Sequence, residues 1–321
     1  MAFIGIDAGG TKIAGLVLKD DSIEARFRRP TDTGSSETVL QGLLEACRTL
    51  REKASEGGLK TEAVGVGIAG FIDQARGVVV DSPNLPLKEF QLRELLSHRC
   101  GLPVFIDNDA NAAALAEAFL GAGKGACCIV HLTLGTGIGG GIILDGRVFR
   151  GSSGSAFEVG HMVIHEDGPL CTCGSRGCLE AVASGVAIYN RVKELSMSEV
   201  KSPLIEEFRR DPEGFSAKTV GRYADSGDRA ALRILQDAGR HLGVGIGNLV
   251  NLINPDMVTL SGGLMGSFHH MEDPLMSALE EVSIPVNYAR VRVRKGILGD
   301  EAGALGAALL PSLEPDRREM P

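Results

Sequence analysis

The segment from Glu158 to Glu180 gathers the residues best suited to chemistry: Glu158-Val-Gly-His161, then Cys171-Thr-Cys173, then Cys178-Leu-Glu180. Three soft thiolates and one imidazole at this spacing suit a zinc ion held tetrahedrally by His161, Cys171, Cys173 and Cys178. Four protein ligands leave no position for a catalytic water, so the predicted metal is structural and a zinc-hydrolase reading fails. With one ring nitrogen on zinc, the other nitrogen of His161 becomes an N–H donor of fixed tautomer. That donor and the carboxylates of Glu158 and Glu180 form a set suited to a polyol. The flanking glycines (Gly151, Gly154, Gly160, Gly174, Gly177) point to close backbone approach rather than a solvated helix face.

Two further groups carry chemistry. Asp7-Ala-Gly9-Gly10-Thr11-Lys12 offers bare backbone N–H groups, a hydroxyl and a cation, which suit a phosphate. Asp7, at the strand end, is suited to a hydrated Mg²⁺. Glycine turns recur at Gly135-Thr136-Gly137 and Gly262-Gly263, each after an apolar strand. None matches the Walker A or dinucleotide fingerprint, so the expected nucleotide cradle is of another kind. Asp107-Asn108-Asp109 lies where a strand meets a helix. One of the three serves as a helix cap, and a carboxylate beyond that need is a candidate general base at the strand's carboxyl end.

The elements that must position these groups alternate. Strands are predicted at Phe3 to Asp7, Ile13 to Leu18, Val64 to Ile68, Val104 to Ile106, Met257 to Leu260 and Val291 to Ile297. Helical spacing marks Glu37 to Ala54, Ala110 to Leu120, Val186 to Leu195, Thr219 to Ala224, Ala230 to Leu252 and a closing Ala302 to Leu310. The class is therefore α/β with a mixed or parallel core sheet. A weak internal repeat supports a duplication. Shifted by 126 residues, Asp7 to Leu18 lies over Thr133 to Leu144, with Gly9/Gly135, Gly15/Gly141 and Leu18/Leu144 coinciding. The polar last residues are expected to fray.

Composition narrows the function classes. A formal charge of −8 without a basic stripe argues against nucleic acid as a main partner. The chain has no apolar run long enough to span a bilayer, and its N-terminus lacks the features of a signal peptide. Seven cysteines, three at metal-ligand spacing, predict a reducing, cytoplasmic setting. With no Trp and three Tyr, a ligand is expected to be held by hydrogen bonds more than by stacking.

In this order, Asp7-x-Gly-Gly-Thr-Lys12, Asp107-Asn-Asp-Ala-Asn111, Leu134-Gly-Thr-Gly137, Glu158-x-Gly-His161 and Cys171-x-Cys173-Gly-x-x-Gly-Cys178-Leu-Glu180 resemble the ROK family of sugar kinases and related repressors, and within it the bacterial glucokinases. The resemblance covers nearly the whole chain. It implies the actin-like, ribonuclease-H-like duplicated ATPase fold, with two domains around a central cleft and the last helix returning to the first domain. The implied division is 1–107 plus 299–321 as a small α/β domain, and 108–298 as a large one with the zinc loop at about 158–180. Carried over by position, Asp109 is the catalytic base toward the sugar's primary hydroxyl. Asn84, Asn108, Asp109, Glu158, His161 and Glu180 are sugar ligands. Asp7, Gly9, Gly10, Thr11, Lys12, Gly135, Thr136 and Gly137 grip phosphate, and Gly262 and Gly263 wall the adenosine. The implied activity is Mg·ATP-dependent phosphorylation of a hexose, foremost glucose to glucose 6-phosphate, by a homo-oligomer. Within the class the alternatives are an N-acetylmannosamine or N-acetylglucosamine kinase or a fructokinase. A sugar-responsive repressor is disfavoured by the first strand beginning at residue 3 and by the acidic chain.

Overall fold

The apolar run Phe3-Ile-Gly-Ile forms β1 (Ala2–Ala8), which turns at Gly9-Gly10-Thr11 and pairs antiparallel with β2 (Lys12–Lys19). The structure, a computed structural model, describes residues 1–313 of the 321-residue chain. The tail expected to fray lies outside the described residues, as do 314–321 of the segment assigned above to the small domain.

β3 (Ser22–Pro30) continues the meander as an edge strand. Ile23, Ala25 and Phe27 turn inward and the charged residues between them turn out. β4 (Thr61–Ile68) and β8 (Val104–Asn108) extend the sheet in parallel on the other side of β1, giving the order β3-β2-β1-β4-β8. A small antiparallel sheet of β5 (Phe71–Asp73), β6 (Val78–Asp81) and β7 (Lys88–Phe90) lies between them in sequence. The second five-stranded sheet contains β9 (Cys128–Leu134), β10 (Ile138–Leu144), β11 (Arg147–Val148), β12 (Met257–Ser261) and β13 (Arg292–Lys295), in the order β11-β10-β9-β12-β13. Position for position this is the order of the first sheet. The matching pairs agree in direction too: β2/β3 and β10/β11 are antiparallel, and β4/β8 and β12/β13 are parallel. The repeat legible in the two glycine hairpins is thus a repeat of whole sheets.

Helix α1 (Ser36–Glu56) opens on a capping box between Ser35 and Thr38. It buries Val39, Leu40, Leu43, Ala46, Cys47, Leu50 and Ala54, a stripe at helical spacing, in the same apolar core as Ile4, Ile6, Ile13, Val17, Val64 and Val66. Truncating Leu50 there to Ala would cost about 2–5 kcal/mol. α2 (Leu92–Cys100) adds Leu92 and Leu96 to this core, and α3 (Asp109–Phe119) follows β8 directly. The second set of helices is α4 (Leu179–Ala183), α5 (Gly185–Ser196), α6 (Pro203–Arg210), α7 (Ala217–Asp225), the long α8 (Arg229–Ile253), α9 (Glu272–Val282) and α10 (Pro285–Tyr288).

The closing helix α11 (Ala302–Leu313) explains two glycines inside strands. A Cβ on Gly5 of β1 would lie 2.0 Å from the Ala304 carbonyl oxygen, and one on Gly65 of β4 would lie 1.7 Å from that of Ala307. Gly306 of α11 in turn meets α3, where a Cβ would come within 1.6 Å of the Ala112 carbonyl oxygen. The alanine-rich α3 is therefore an adaptation to close backbone packing, and α11 returns to the first sheet as expected.

Two compact units result. One comprises 1–131, 141–157 and 296 onward; the other comprises 132–140 and 158–295. The segment 108–131, placed above with the large domain, belongs to the first unit because α3 packs on α11. The last strand is shorter than predicted. Beyond Lys295 the N–H groups of Ile297 and Leu298 donate to the Glu117 carboxylate at 3.3 and 3.1 Å instead of continuing a ladder. Among the described residues no helix is long and apolar enough to cross a membrane.

Candidate active site

In the first unit the strand register collects the acids. Asp7 on β1 pairs with Gly67 on β4, and Gly67 pairs with Asp107 on β8. α3 packs close to Gly67, where a Cβ would lie 3.3 Å from the Ala112 Cβ and 3.5 Å from the Cα of Asp109. The groups thus stand at the carboxyl ends of parallel strands, where open α/β sheets bind ligands.

The three polar residues closing β8 have separate tasks. Asp107 is buried and held by Arg150, whose Nε and Nη2 approach Oδ2 at 2.9 and 2.5 Å. Its Oδ1 accepts from Asn111 Nδ2 and from the Asn108 N–H. Asn108 caps α3, its Oδ1 accepting from the N–H groups of Ala110 and Asn111 at 2.9 and 3.2 Å. One hydrogen of Asn108 Nδ2 goes to the Gly70 carbonyl at 3.0 Å, so one remains for a ligand. Asp109 is bonded by local backbone N–H groups, its own and that of Ala110 at 2.9 Å, and among the described residues no ion pair holds it. Burial raises its pKa above the ordinary carboxylate range. Asp7 is pushed up to about 7, first by burial and then by the charge of Asp109.

The first glycine turn is tied down from β3 and its exit. The Gly9 N–H donates to the Lys12 carbonyl at 3.0 Å, and Thr31 Oγ1 donates to the Gly9 carbonyl at 2.7 Å. The Thr31 N–H reaches the Thr11 carbonyl at 3.1 Å. Gly10 lies against Asn84, whose carbonyl oxygen a Cβ would meet at 2.7 Å. Lys12 pairs loosely with the exposed Asp300 at 3.8 Å, an interaction worth about 0–1 kcal/mol that an arriving phosphate can replace. Thr31 and Arg150 were not legible as site residues. No local pattern marks either one, and each acts across a sequence gap that only the folded sheet closes.

In the second unit the Gly135-Thr136-Gly137 turn is anchored on the start of α5. Gly185 and Val186 donate backbone N–H groups to the carbonyls of Gly135 and Thr136 at 2.9 and 3.1 Å. Glu180 accepts from the Ile138 N–H at 2.9 Å and leans on Gly137, where a Cβ would collide with its carboxylate. Gly160, between Glu158 and His161, abuts the Ile138 carbonyl oxygen, which a Cβ would meet at 2.2 Å. Gly262 lies against the backbone of Leu134 in a conformation that favours glycine, φ +100. Glu180, the Gly160 backbone that follows Glu158, one phosphate turn and Gly262 therefore meet around the β9–β10 turn. Gly262-Gly263 does not form an isolated turn, since a 3-10 helix begins at Gly263 and runs to His270.

The flanking glycines do allow close approach. A Cβ on Gly154 would meet the Ile72 carbonyl oxygen at 2.4 Å, and one on Gly177 that of His165 at 1.5 Å. Gly174, with nothing within 4 Å, instead provides φ +93. These turns bring His161, Cys171, Cys173 and Cys178 together, with all four ligand atoms within 4.8 Å of one another. Cys171 Sγ lies 3.6 Å from His161 Nδ1, and Cys173 Sγ lies 3.7 Å from Cys178 Sγ. A tetrahedron with Zn–S of about 2.3 Å and Zn–N of about 2.05 Å has S–N edges near 3.6 Å and S–S edges near 3.8 Å. The donor set fits zinc in both kind and spacing, with His161 Nδ1 on the metal side.

A profile of the ROK family matches residues 3–313. The chain belongs to the ROK family. Among its ROK relatives, the glucokinase of Thermotoga maritima is 36% identical over 312 residues, spanning 96% of this chain and 96% of its own. The xylose repressor of Bacillus subtilis is 31% identical over 94% of this chain and 75% of its own length. Among solved ROK structures, the glucokinase of Streptomyces griseus in complex with glucose and AMPPNP superimposes with a TM-score of 0.83 at 33% identity, covering 97% of this chain and all of that one. The ROK fold, the actin-like ATPase fold of α/β class, is that of this chain.

Proposed function

We propose that this chain is an ATP-dependent hexokinase whose foremost substrate is glucose, phosphorylated at its primary hydroxyl. The observation that carries the reading is the division of roles in Asp107-Asn108-Asp109. Arg150 neutralises the first, capping of α3 occupies the second, and the third, opening α3, has no cation paired with it among the described residues. A carboxylate of raised pKa in that setting accepts a proton from an attacking hydroxyl more readily than an ordinary one. Asp109 takes the proton of the sugar's primary hydroxyl as that oxygen attacks the γ-phosphorus, and the bond to the β,γ-bridging oxygen breaks to release ADP.

The other residues align and neutralise, which is most of what phosphoryl transfer requires. Gly9 and Gly135 close their turns by donating to the Lys12 and Gly137 carbonyls, and the N–H groups of Gly10 and Thr11, with the Lys12 ammonium, and those of Thr136 and Gly137 receive the phosphates. Asp7 holds the hydrated Mg²⁺ of Mg·ATP, and its buried carboxylate beside that of Asp109, offset only in part by Lys12, fits a hard divalent cation. Gly262 and Gly263 wall the adenosine. Asn84, Asn108, Glu158, His161 and Glu180 bind the sugar hydroxyls. Cys171, Cys173, Cys178 and His161 Nδ1 would hold a structural zinc ion, which would fix the tautomer of that histidine and leave Nε2–H as the donor to the sugar. A metal held by reduced thiols also supports residence in the cytoplasm.

Two relatives favour glucose by what they are, one a glucokinase and one a structure holding glucose and AMPPNP. The competing reading of a sugar-responsive repressor gives Asp109 no task. The test is a panel of hexoses in a coupled assay of ADP release. Glucose is expected to turn over fastest, whereas strong turnover of an N-acetylhexosamine or fructose beside an idle glucose reaction would overturn the choice of sugar.

A further inference from the structure

A second group of metal-binding side chains lies outside the site described above. Asp225, the last residue of α7, meets His269 and His270 at the end of the 3-10 helix Gly263–His270. Asp225 Oδ1 lies 2.9 Å from His269 Nε2 and 2.8 Å from His270 Nε2. The imidazoles are 4.0 Å apart between ring centres, and one ligand atom from each of the three residues falls within 4.8 Å of the other two. The two consecutive histidines direct the same ring nitrogen at one carboxylate oxygen. This arrangement orders two side chains around a single acceptor.

The packing behind the cluster is fixed. One turn before Asp225, Gly221 abuts Ser267, whose Oγ a Cβ would approach to 2.0 Å. That contact sets the register of α7 against the 3-10 helix and delivers the three ligands together. Their separations also agree with a coordination sphere. Metal–ligand bonds of about 2.0–2.1 Å at angles between 90° and 109° place neighbouring ligand atoms about 2.9–3.4 Å apart.

We propose that Asp225, His269 and His270 form a binding site for a borderline transition-metal dication such as Zn²⁺, Co²⁺ or Ni²⁺, separate from the cysteine cluster. Two imidazoles and one carboxylate are a donor set for such ions, whereas Mg²⁺ and Ca²⁺ take oxygen ligands. His269 and Asp225 are exposed and His270 is half-buried, so remaining positions on the ion belong to water. Bound there, the ion clamps α7 to the 3-10 helix whose first residue, Gly263, follows Gly262. It thereby stiffens the segment that carries that glycine pair. The site itself does not depend on the kinase reading.

Cobalt titration of the purified full chain tests this, because thiolate ligands give Co²⁺ an intense near-ultraviolet charge-transfer band and nitrogen and oxygen ligands do not. The expected result is an equivalent of Co²⁺ bound without that band, detected by calorimetry or weak visible absorption. This equivalent should be lost in Asp225→Asn and in the double variant His269→Ala/His270→Ala, with any thiolate band and the far-ultraviolet circular dichroism unchanged. The proposal is overturned if all bound cobalt shows the thiolate band, or if the thiolate-free equivalent persists in both variants.

Discussion

Glu180 accepts a hydrogen bond from the backbone N–H of Ile138 at 2.9 Å, so the acid that closes the cysteine cluster is tied to the strand leaving the Gly135–Gly137 turn. A proposed sugar ligand and a proposed phosphate grip thus share one anchor. Replacing Glu180 by Gln keeps a carbonyl acceptor for Ile138 but removes the charge. Replacing it by Ala removes both. Glu180→Gln should raise the KM for glucose about tenfold with the KM for ATP nearly unchanged, while Glu180→Ala should raise both. Steady-state kinetics with each substrate varied in turn decides this, and equal effects of the two variants on ATP would break the link.

Arg150 neutralises an acid that is buried among strands. Removing it leaves Asp107 charged and unpaired, a loss of roughly 3–5 kcal/mol for a buried pair broken on one side. Arg150→Ala should therefore lower the melting temperature markedly, and the double variant Arg150→Met/Asp107→Asn should recover part of the loss. Thermal unfolding followed by circular dichroism measures both. A double variant no more stable than Arg150→Ala would mean that the pair is not what holds this end of β8.

Burial sets the pH response. The folded pKa of Asp7, about 7, lies above its ordinary 3.8, so the folded chain holds that proton more tightly than the unfolded one. Stability from this group is present at low pH and is lost as pH rises toward 7. In Mg-free buffer, Asp7→Asn should gain on the parent by roughly 2 kcal/mol more at pH 8 than at pH 5. Asp109 is shifted in the same direction by burial, so kcat/KM should fall on acidification with an apparent pKa above the usual carboxylate range. A pH-independent stability difference, or an acid limb at the ordinary value, would contradict this electrostatic picture.

Metal removal should act on sugar binding. If zinc fixes His161 through Nδ1, stripping it with a chelator should weaken glucose binding by about tenfold, and restoring zinc should reverse the loss. Calorimetry on stripped and reloaded protein reports it. Unchanged glucose affinity in protein proven free of zinc would separate the cluster from the sugar.

The sequence was most readable where chemistry is local. The Cys171–Cys178 spacing implied a tetrahedral site, and the folded knuckle brings those sulfurs and His161 Nδ1 to zinc-like separations. The three polar residues where β8 passes into α3 exceed what a cap needs, and the cap proves to be Asn108. Glycine hairpins a fixed distance apart foretold two sheets of matching order. Partners joined only by the fold were hidden. Arg150 reaches Asp107 across the first unit, Thr31 braces Gly9 from the far end of β3, and Asp225 meets His269 and His270 from another helix. β3 was overlooked although its apolar residues alternate, because charges on its exposed face mask the strand signal. An alanine-rich helix does not announce what it packs against, and α3 meets α11, so 108–131 falls in the first compact unit.

Asp109 is the residue on which the account turns. The most direct test is Asp109→Asn measured beside the parent chain, with glucose binding followed by calorimetry and turnover followed by ADP release. The parent should release ADP with glucose, and the variant should bind glucose within a few-fold of the parent while its kcat falls by about 10²–10⁴. A variant that keeps parental turnover, or a parent that releases no ADP with any hexose, would contradict it.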